Sequence, residues 1–97
     1  MITDYDNRQL SKMKQQLAAF KKDELPLGSL IGDLDFLLNA MESMDMTWKE
    51  RVHEEVATLE EVYAVALDTG LDEHDEAFTS LVYQSIQKLF DCFDEFD

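Results

Sequence analysis

Cysteine occurs once, at Cys92, so no disulfide can staple this chain to itself, and nothing in it points to an oxidising compartment. Proline occurs once and glycine three times, and no alternating strand pattern of useful length is present, which removes the usual marks of a β fold. Basic residues are few: 8 against 22 acidic ones, for a formal net charge of −14. That balance disfavours nucleic acid and anionic membrane as partners and favours a positively charged protein. Apolar runs are only a few residues long, so no membrane span is expected. The first residues carry Asp4 and Asp6 in place of a basic-then-apolar leader, so no signal peptide is expected and the location is read as cytoplasmic.

The 97 residues suit one domain spanning 1–97, and a hydrophobic share of 45% is enough to build its core. Charge is unevenly placed. Residues 1–26 hold Arg8, Lys12, Lys14, Lys21 and Lys22 against Asp4, Asp6, Asp23 and Glu24, a net of +1, so residues 27–97 carry −15.

Helical periodicity dominates and predicts an all-α fold, a small antiparallel bundle of about four helices. The first is expected over Asp6–Lys22, with Leu10, Met13, Leu17 and Phe20 on one face and Lys21 and Lys22 in the last turn, where cations suit the helix dipole. Leu25-Pro26-Leu27-Gly28 interrupts the pattern. The second is expected over Ser29–Met44, with Ser29 as N-cap and a stripe of Leu30, Leu34, Leu37, Leu38, Met41 and Met44; Gly32, near the far side, marks either a close approach or a weak spot. The third opens on Thr47-Trp48-Lys49-Glu50, which fits a capping box, and ends near Asp68 at Gly70. Its apolar face reads Trp48, Val52, Val56, Leu59, Tyr63, Ala66 and Leu67. The fourth starts between Asp72 and Asp75 and runs to Phe93, burying Phe78, Leu81, Val82, Ser85, Ile86, Leu89 and Phe93, with a fraying tail from Asp94.

No catalytic or metal constellation emerges. Glu50-Arg51-Val52-His53 is half of the Glu-x-x-His motif of di-iron bundles, but His74 has Leu71 three positions before it, so the second copy is missing, and Glu50 falls opposite the apolar face. His53-Glu54-Glu55-Val56-Ala57 lacks the second histidine of a zinc protease. Asp33-x-Asp35 and Asp68-to-Asp72 both fail as calcium loops, the first for want of Glu at Met44 and the second for want of Gly at Glu73. Cys92 has Asp91 and Asp94 for neighbours, which raise a thiol pKa, so it reads as structural. The expectation is no enzyme, no cofactor, no metal and no small-molecule substrate.

Binding features are more specific. On a helical wheel Glu50, Glu54, Glu61 and Asp68 fall within roughly 40° of one another and form a row about 27 Å long, opposite Leu59 and Tyr63. Lys49 and Arg51 are too few to neutralise it. Asp33 and Asp35 extend the acidic field, and Phe36 and Tyr83 lie off their stripes as candidate aromatic anchors, with Phe90 read as packed.

The stretch Leu27-Gly28-Ser29-Leu30-Ile31-Gly32-Asp33-Leu34-Asp35-Phe36-Leu37-Leu38, then Trp48-Lys49-Glu50, then Leu59-Glu60-Glu61-Val62-Tyr63-Ala64-Val65-Ala66-Leu67-Asp68, resembles segments of small acidic immunity proteins of contact-dependent growth inhibition and related polymorphic toxin systems. The resemblance covers about Leu27 to Asp75, roughly half the chain, and consists largely of core and capping residues. It implies a stoichiometric inhibitor of a cognate basic toxin domain, a nuclease and first of all an EndoU-like RNase, whose cleft the carboxylates occupy where phosphates would lie. The alternatives are an acidic helical adaptor and a nucleic-acid mimic directed at another basic protein.

Overall fold

The computed structural model describes residues 2–70 and 76–96. Four helices follow in order: α1 (Asp4–Lys21), α2 (Leu27–Ala40), α3 (Met46–Thr69) and α4 (Glu76–Asp94). Contacts across each seam run in opposite directions along the two chains. Asp6 meets Glu42 while Gln16 meets Asp33; Gly28 meets Tyr63 while Lys49 meets Met41; Trp48 meets Cys92 while Glu55 meets Lys88. Neighbouring helices are therefore antiparallel. Each packs on the next and α4 returns to α1, while among the described residues neither diagonal pair approaches. The result is the expected all-α up-and-down bundle.

The stripes read from the sequence meet at its centre. Leu10, Met13 and Leu17 from α1, Leu30, Leu34 and Leu38 from α2, Val52, Val56 and Leu59 from α3, and Val82, Ile86, Leu89 and Phe93 from α4 are all fully buried. Each such side chain contributes roughly 1.5–3 kcal/mol of transfer free energy. Trp48 closes one end. Its Nε1 donates to the Cys92 carbonyl oxygen at 2.9 Å, and its ring lies against Phe93 and, edge-on, against Phe96 at 5.3 Å. This contact and the Arg51–Glu95 ion pair hold the chain through Phe96, where fraying was expected.

Helix ends depart from the sequence reading because of particular capping groups, some local and some on other helices. α1 begins at Asp4 because Thr3 caps it, its Oγ1 accepting from the Asp6 amide at 3.1 Å. It ends in a Schellman motif: the Glu24 amide donates to Ala19 O and the Asp23 amide to Phe20 O, with Asp23 at φ 60°. α2 begins directly after Pro26, whose fixed φ of −66° suits that place, so Ser29 sits inside the first turn and caps nothing. α2 also stops at Ala40, four residues early. Asp6, fully buried, accepts from the Glu42 amide at 3.0 Å and the Ser43 amide at 2.8 Å, and Lys49 Nζ donates to Met41 O at 3.2 Å. These bonds take groups that a longer helix would have used itself.

The capping box at Thr47 does not form either. Asp45 is the N-cap, its Oδ1 accepting from the Thr47 amide at 2.9 Å, and Glu50 is left on the surface. Gly70 ends α3 in the left-handed conformation, as expected. The predicted start of α4, Asp72 to Asp75, lies outside the described residues. Leu67 and Leu81 are corrections to the predicted core, at 67% and 50% exposed. Leu67 has the right phase, but the Gly28–Tyr63 contact places the start of α2 about one turn short of it. Leu81 lies on the α4 flank turned to the outer α3 seam, two turns from the Lys88–Glu55 pair, and none of the other described helices covers it. Gly32 is open, with nothing within 4 Å of a Cβ there; the close approach is at Gly28, beneath Tyr63.

Candidate protein-binding surface

α3 positions the acidic row. Its inward stripe fixes the rotation of the helix, so the residues opposite Leu59 must face outward, and Glu50, Glu54, Glu61 and Asp68 are all exposed. Only two cations lie on this helix, and both are engaged elsewhere: Lys49 with the Met41 carbonyl, Arg51 with Glu95 at 2.9 Å. Hydrogen bonding to Glu95 raises the Arg51 pKa further, so its charge stays fixed there. Glu55, on the flank towards α4, faces Lys88 at 3.9 Å. Among the described residues, no ion pair or side-chain hydrogen bond engages the four carboxylates of the row. Their field is therefore unneutralised from within.

Between α2 and α3 runs a groove of about 580 Å³. Leu38 and Ala57 give it apolar lining, and Asn39, Lys49, Glu50, His53 and Glu54 give it polar lining. The two carboxylates stand one helical turn apart. Glu50 and His53 thus share a groove, yet no group of three or more His, Cys, Asp or Glu among the described residues could hold a metal ion.

The remaining residues singled out from the sequence fall into separate places. Phe36 stands on the outer face of α2 at 73% exposed, the most exposed large apolar side chain described. It borders a smaller groove of about 180 Å³ between α1 and α2, with Lys12, Gln16 and Asp33. Asp33 is half-buried there and accepts from Gln16 Nε2 at 3.0 Å, so it belongs to the α1–α2 seam. Asp35 is half-buried on the α2 flank that, one heptad earlier, brings Gly28 against Tyr63 of α3. Tyr83 is on the other side of the bundle, its ring 6.2 Å from Phe20 across the α1–α4 seam. Phe90 is half-buried on that same seam, with Lys21 Nζ 5.3 Å above its ring. Asp35, Glu50 and Glu54 therefore gather around the α2–α3 seam, Phe36 stands on the outer face of α2 beside the α1–α2 groove, Glu61 and Asp68 continue along α3, and Tyr83 is remote from them.

Cys92 is buried against Trp48 and Phe93. Desolvation is the main cause that pushes its thiol pKa up, and Glu95, Glu55 and Asp91 add to it against the opposing pull of Arg51. The sequence reading had the direction right but named the neighbouring carboxylates where burial dominates. Reasoning from sequence missed Asp6 altogether. The available signal was its phase, four residues before Leu10 on the stripe that continues through Met13 and Leu17, which places a carboxylate among buried positions. No described helix is long and apolar enough to cross a membrane. No protein-family model, curated protein or solved structure matches this chain.

Proposed function

We propose that this chain is an immunity-type inhibitor that binds and neutralises a cognate basic toxin domain, a nuclease and first of all an EndoU-like RNase, by stoichiometric occlusion. The observation that carries this reading is the exposed carboxylate row of α3, whose two resident cations are committed to Met41 and Glu95. A nuclease cleft is lined with Lys and Arg that bind phosphate. Glu50, Glu54, Glu61 and Asp68 offer those groups a rigid line of negative charge about 27 Å long, already ordered by the helix. The field of residues 27–97 speeds encounter with such a cleft. The resemblance of Leu27–Asp75 to immunity proteins of contact-dependent growth inhibition supplies the biological setting, with the inhibitor acting in the cytoplasm. Neither cofactor nor metal takes part, and no nucleic acid, membrane or small-molecule substrate is bound.

The test is a pull-down of the protein encoded by the adjacent gene, followed by a nuclease assay with and without this chain. Joint charge reversal at Glu54, Glu61 and Asp68 should weaken the complex and flatten its dependence on salt. Unchanged affinity and salt dependence would rule this row out as the contact. Inhibition at ratios far below one to one would exclude stoichiometric occlusion.

A further inference from the structure

The acidic row is longer than one contact needs; exposed apolar side chains stand near both of its ends, Val65 and Leu67 by Asp68 and Phe36 across α2 from Glu50 and Glu54, and the Glu50–Glu54 part also lines a groove. On the outer face of α2, Ser29 and Gly32 precede Phe36 at helical spacing, and nothing lies within 4 Å of a Cβ at Gly32. Phe36 therefore projects from a low shelf. Asn39, three residues on and so next along the same face, lines the α2–α3 groove. Phe36 itself lines the small α1–α2 groove with Lys12, and Asn39 carries the same outer face of α2 on to the α2–α3 groove, where Lys49, Glu50 and Glu54 line the far side.

We infer that this α2–α3 face is where the partner docks, and that its occupant is a cationic segment carrying both long basic and apolar side chains. The inference rests on the reading of this chain as an inhibitor of a basic protein. Leu38 and Ala57 suit the aliphatic stem of an arginine or lysine, and Glu50 and Glu54 meet its charged head. Phe36 supplies the aromatic anchor beside them, the arrangement in which an apolar centre ringed by polar groups carries most of the binding energy. A second copy docked through the same face is the wrong occupant, because it would set Glu50 and Glu54 against their own counterparts, and the α1 face of a copy offers a net of only +2 on a chain of −14. Tyr83 takes no part, since it lies on the α1–α4 seam.

The test uses the full chain, 15N-labelled, and two synthetic peptides of equal charge, one alternating Arg with Leu and the other alternating Arg with Ser. The Arg/Leu peptide should bind at least tenfold more tightly, with shift changes centred on Phe36, Asn39, His53 and Ala57. Phe36→Ser should erase that preference and leave binding of the Arg/Ser peptide unchanged. E50Q/E54Q should weaken both peptides and reduce their salt dependence. All three positions are exposed, so the variants should keep the parent's thermal midpoint within a few degrees. No preference for Arg/Leu, whether from equal binding or from none, overturns the inference. So does a preference that survives Phe36→Ser or is lost instead with Leu81→Ser. The wider reading fails separately: if the peptide results hold but no basic nuclease is inhibited, the surface stands and the immunity function falls. If charge reversal at Glu54, Glu61 and Asp68 abolishes inhibition while the peptide results fail, only the docking face is wrong.

Discussion

Replacing Asp6 by alanine should be among the most damaging single changes to the fold, although Asp6 lies in the first turn of the first helix. Its two carboxylate oxygens receive the amides of Glu42 and Ser43, at 3.0 and 2.8 Å, and so hold the α2–α3 loop against α1. Hydrogen bonds to a charged group contribute about 1.5–3 kcal/mol each. Glu42 and Ser43 are exposed, so their freed amides can find water, and the lower figure applies. Loss of a carboxylate near a helix N-terminus removes about 0.5 kcal/mol more, and the better helix propensity of alanine returns about the same. The net loss is about 2–4 kcal/mol, a large part of the roughly 5–15 kcal/mol that stabilises a domain. At about 4–8 °C per kcal/mol for a chain of this size, the thermal midpoint should fall by about 8–30 °C.

Urea unfolding followed by circular dichroism measures the loss as a lower midpoint at unchanged slope. Amide exchange localises it: the Glu42 and Ser43 amides should be protected in the parent and exchange freely in Asp6→Ala. D6N keeps one acceptor but no charge and should fall between the two. A loss under about 1 kcal/mol, well short of two charged hydrogen bonds, or equal exchange at Glu42 and Ser43 in both proteins, would refute the clasp.

Three further outcomes are expected. Gly32→Ala should stabilise the chain by up to about 1 kcal/mol through helix propensity alone, whereas Gly28→Ala should gain nothing, because its Cβ would lie 2.9 Å from Tyr63 Oη; urea midpoints of the two variants compare them directly. Burial raises the Cys92 pKa, so the folded state keeps its proton to higher pH than the unfolded chain does. The stability from this is complete below the ordinary thiol pKa and is lost as pH climbs through the raised value, so Cys92→Ala should lose less stability than the parent between about pH 7.5 and pH 10. For the same reason the parent thiol should react with a disulfide reagent at neutral pH only at the rate of unfolding. Finally, E50Q/E54Q removes one like-charge pair four residues apart and should raise stability by about 0.2–0.5 kcal/mol at low ionic strength, with no gain in about 1 M salt. A fall in the thermal midpoint would mean that these carboxylates make structural contacts after all.

Periodic features were legible in the sequence and reciprocal ones were not. Leu10, Met13 and Leu17, or Val52, Val56 and Leu59, announce a buried face because the helix repeats every 3.6 residues whatever surrounds it. The outward direction of Glu50, Glu54, Glu61 and Asp68 followed from the same rule. What failed turned on competing local caps or on partners far along the chain. Ser29 and Thr47 are good cap residues by type, but Pro26 and Asp45 started their helices first. The early stop of α2 depends on Asp6 and Lys49, on two other helices. Leu67 shares the phase of the core yet outruns the start of α2, a matter of relative helix length, whereas Leu81 lies on a flank of α4 at the edge of its stripe. The groove between α2 and α3 is likewise a product of packing, and only its residue types could be read in advance.

The placement of charge across the ring bears on why the row exists. α1 carries Arg8, Lys12, Lys14 and Lys21 against Asp4 and Asp6, a net of +2, while α3 carries Lys49 and Arg51 against six carboxylates, a net of −4. These two helices are diagonal in the bundle, and their backbones do not approach one another. The basic helix is thus as far from the acidic row as the fold permits, and the cations of α3 are drawn to its seams with α2 and α4. Solubility alone would be served as well by interspersed signs, which repel less within each helix. Segregation instead gives the molecule a direction, so that under the proposed reading a cationic partner would be drawn to the α3 side more strongly than to the α1 side. An exposed phenylalanine on the outer face of α2, where it gains nothing from the core, would fit the proposed docking role.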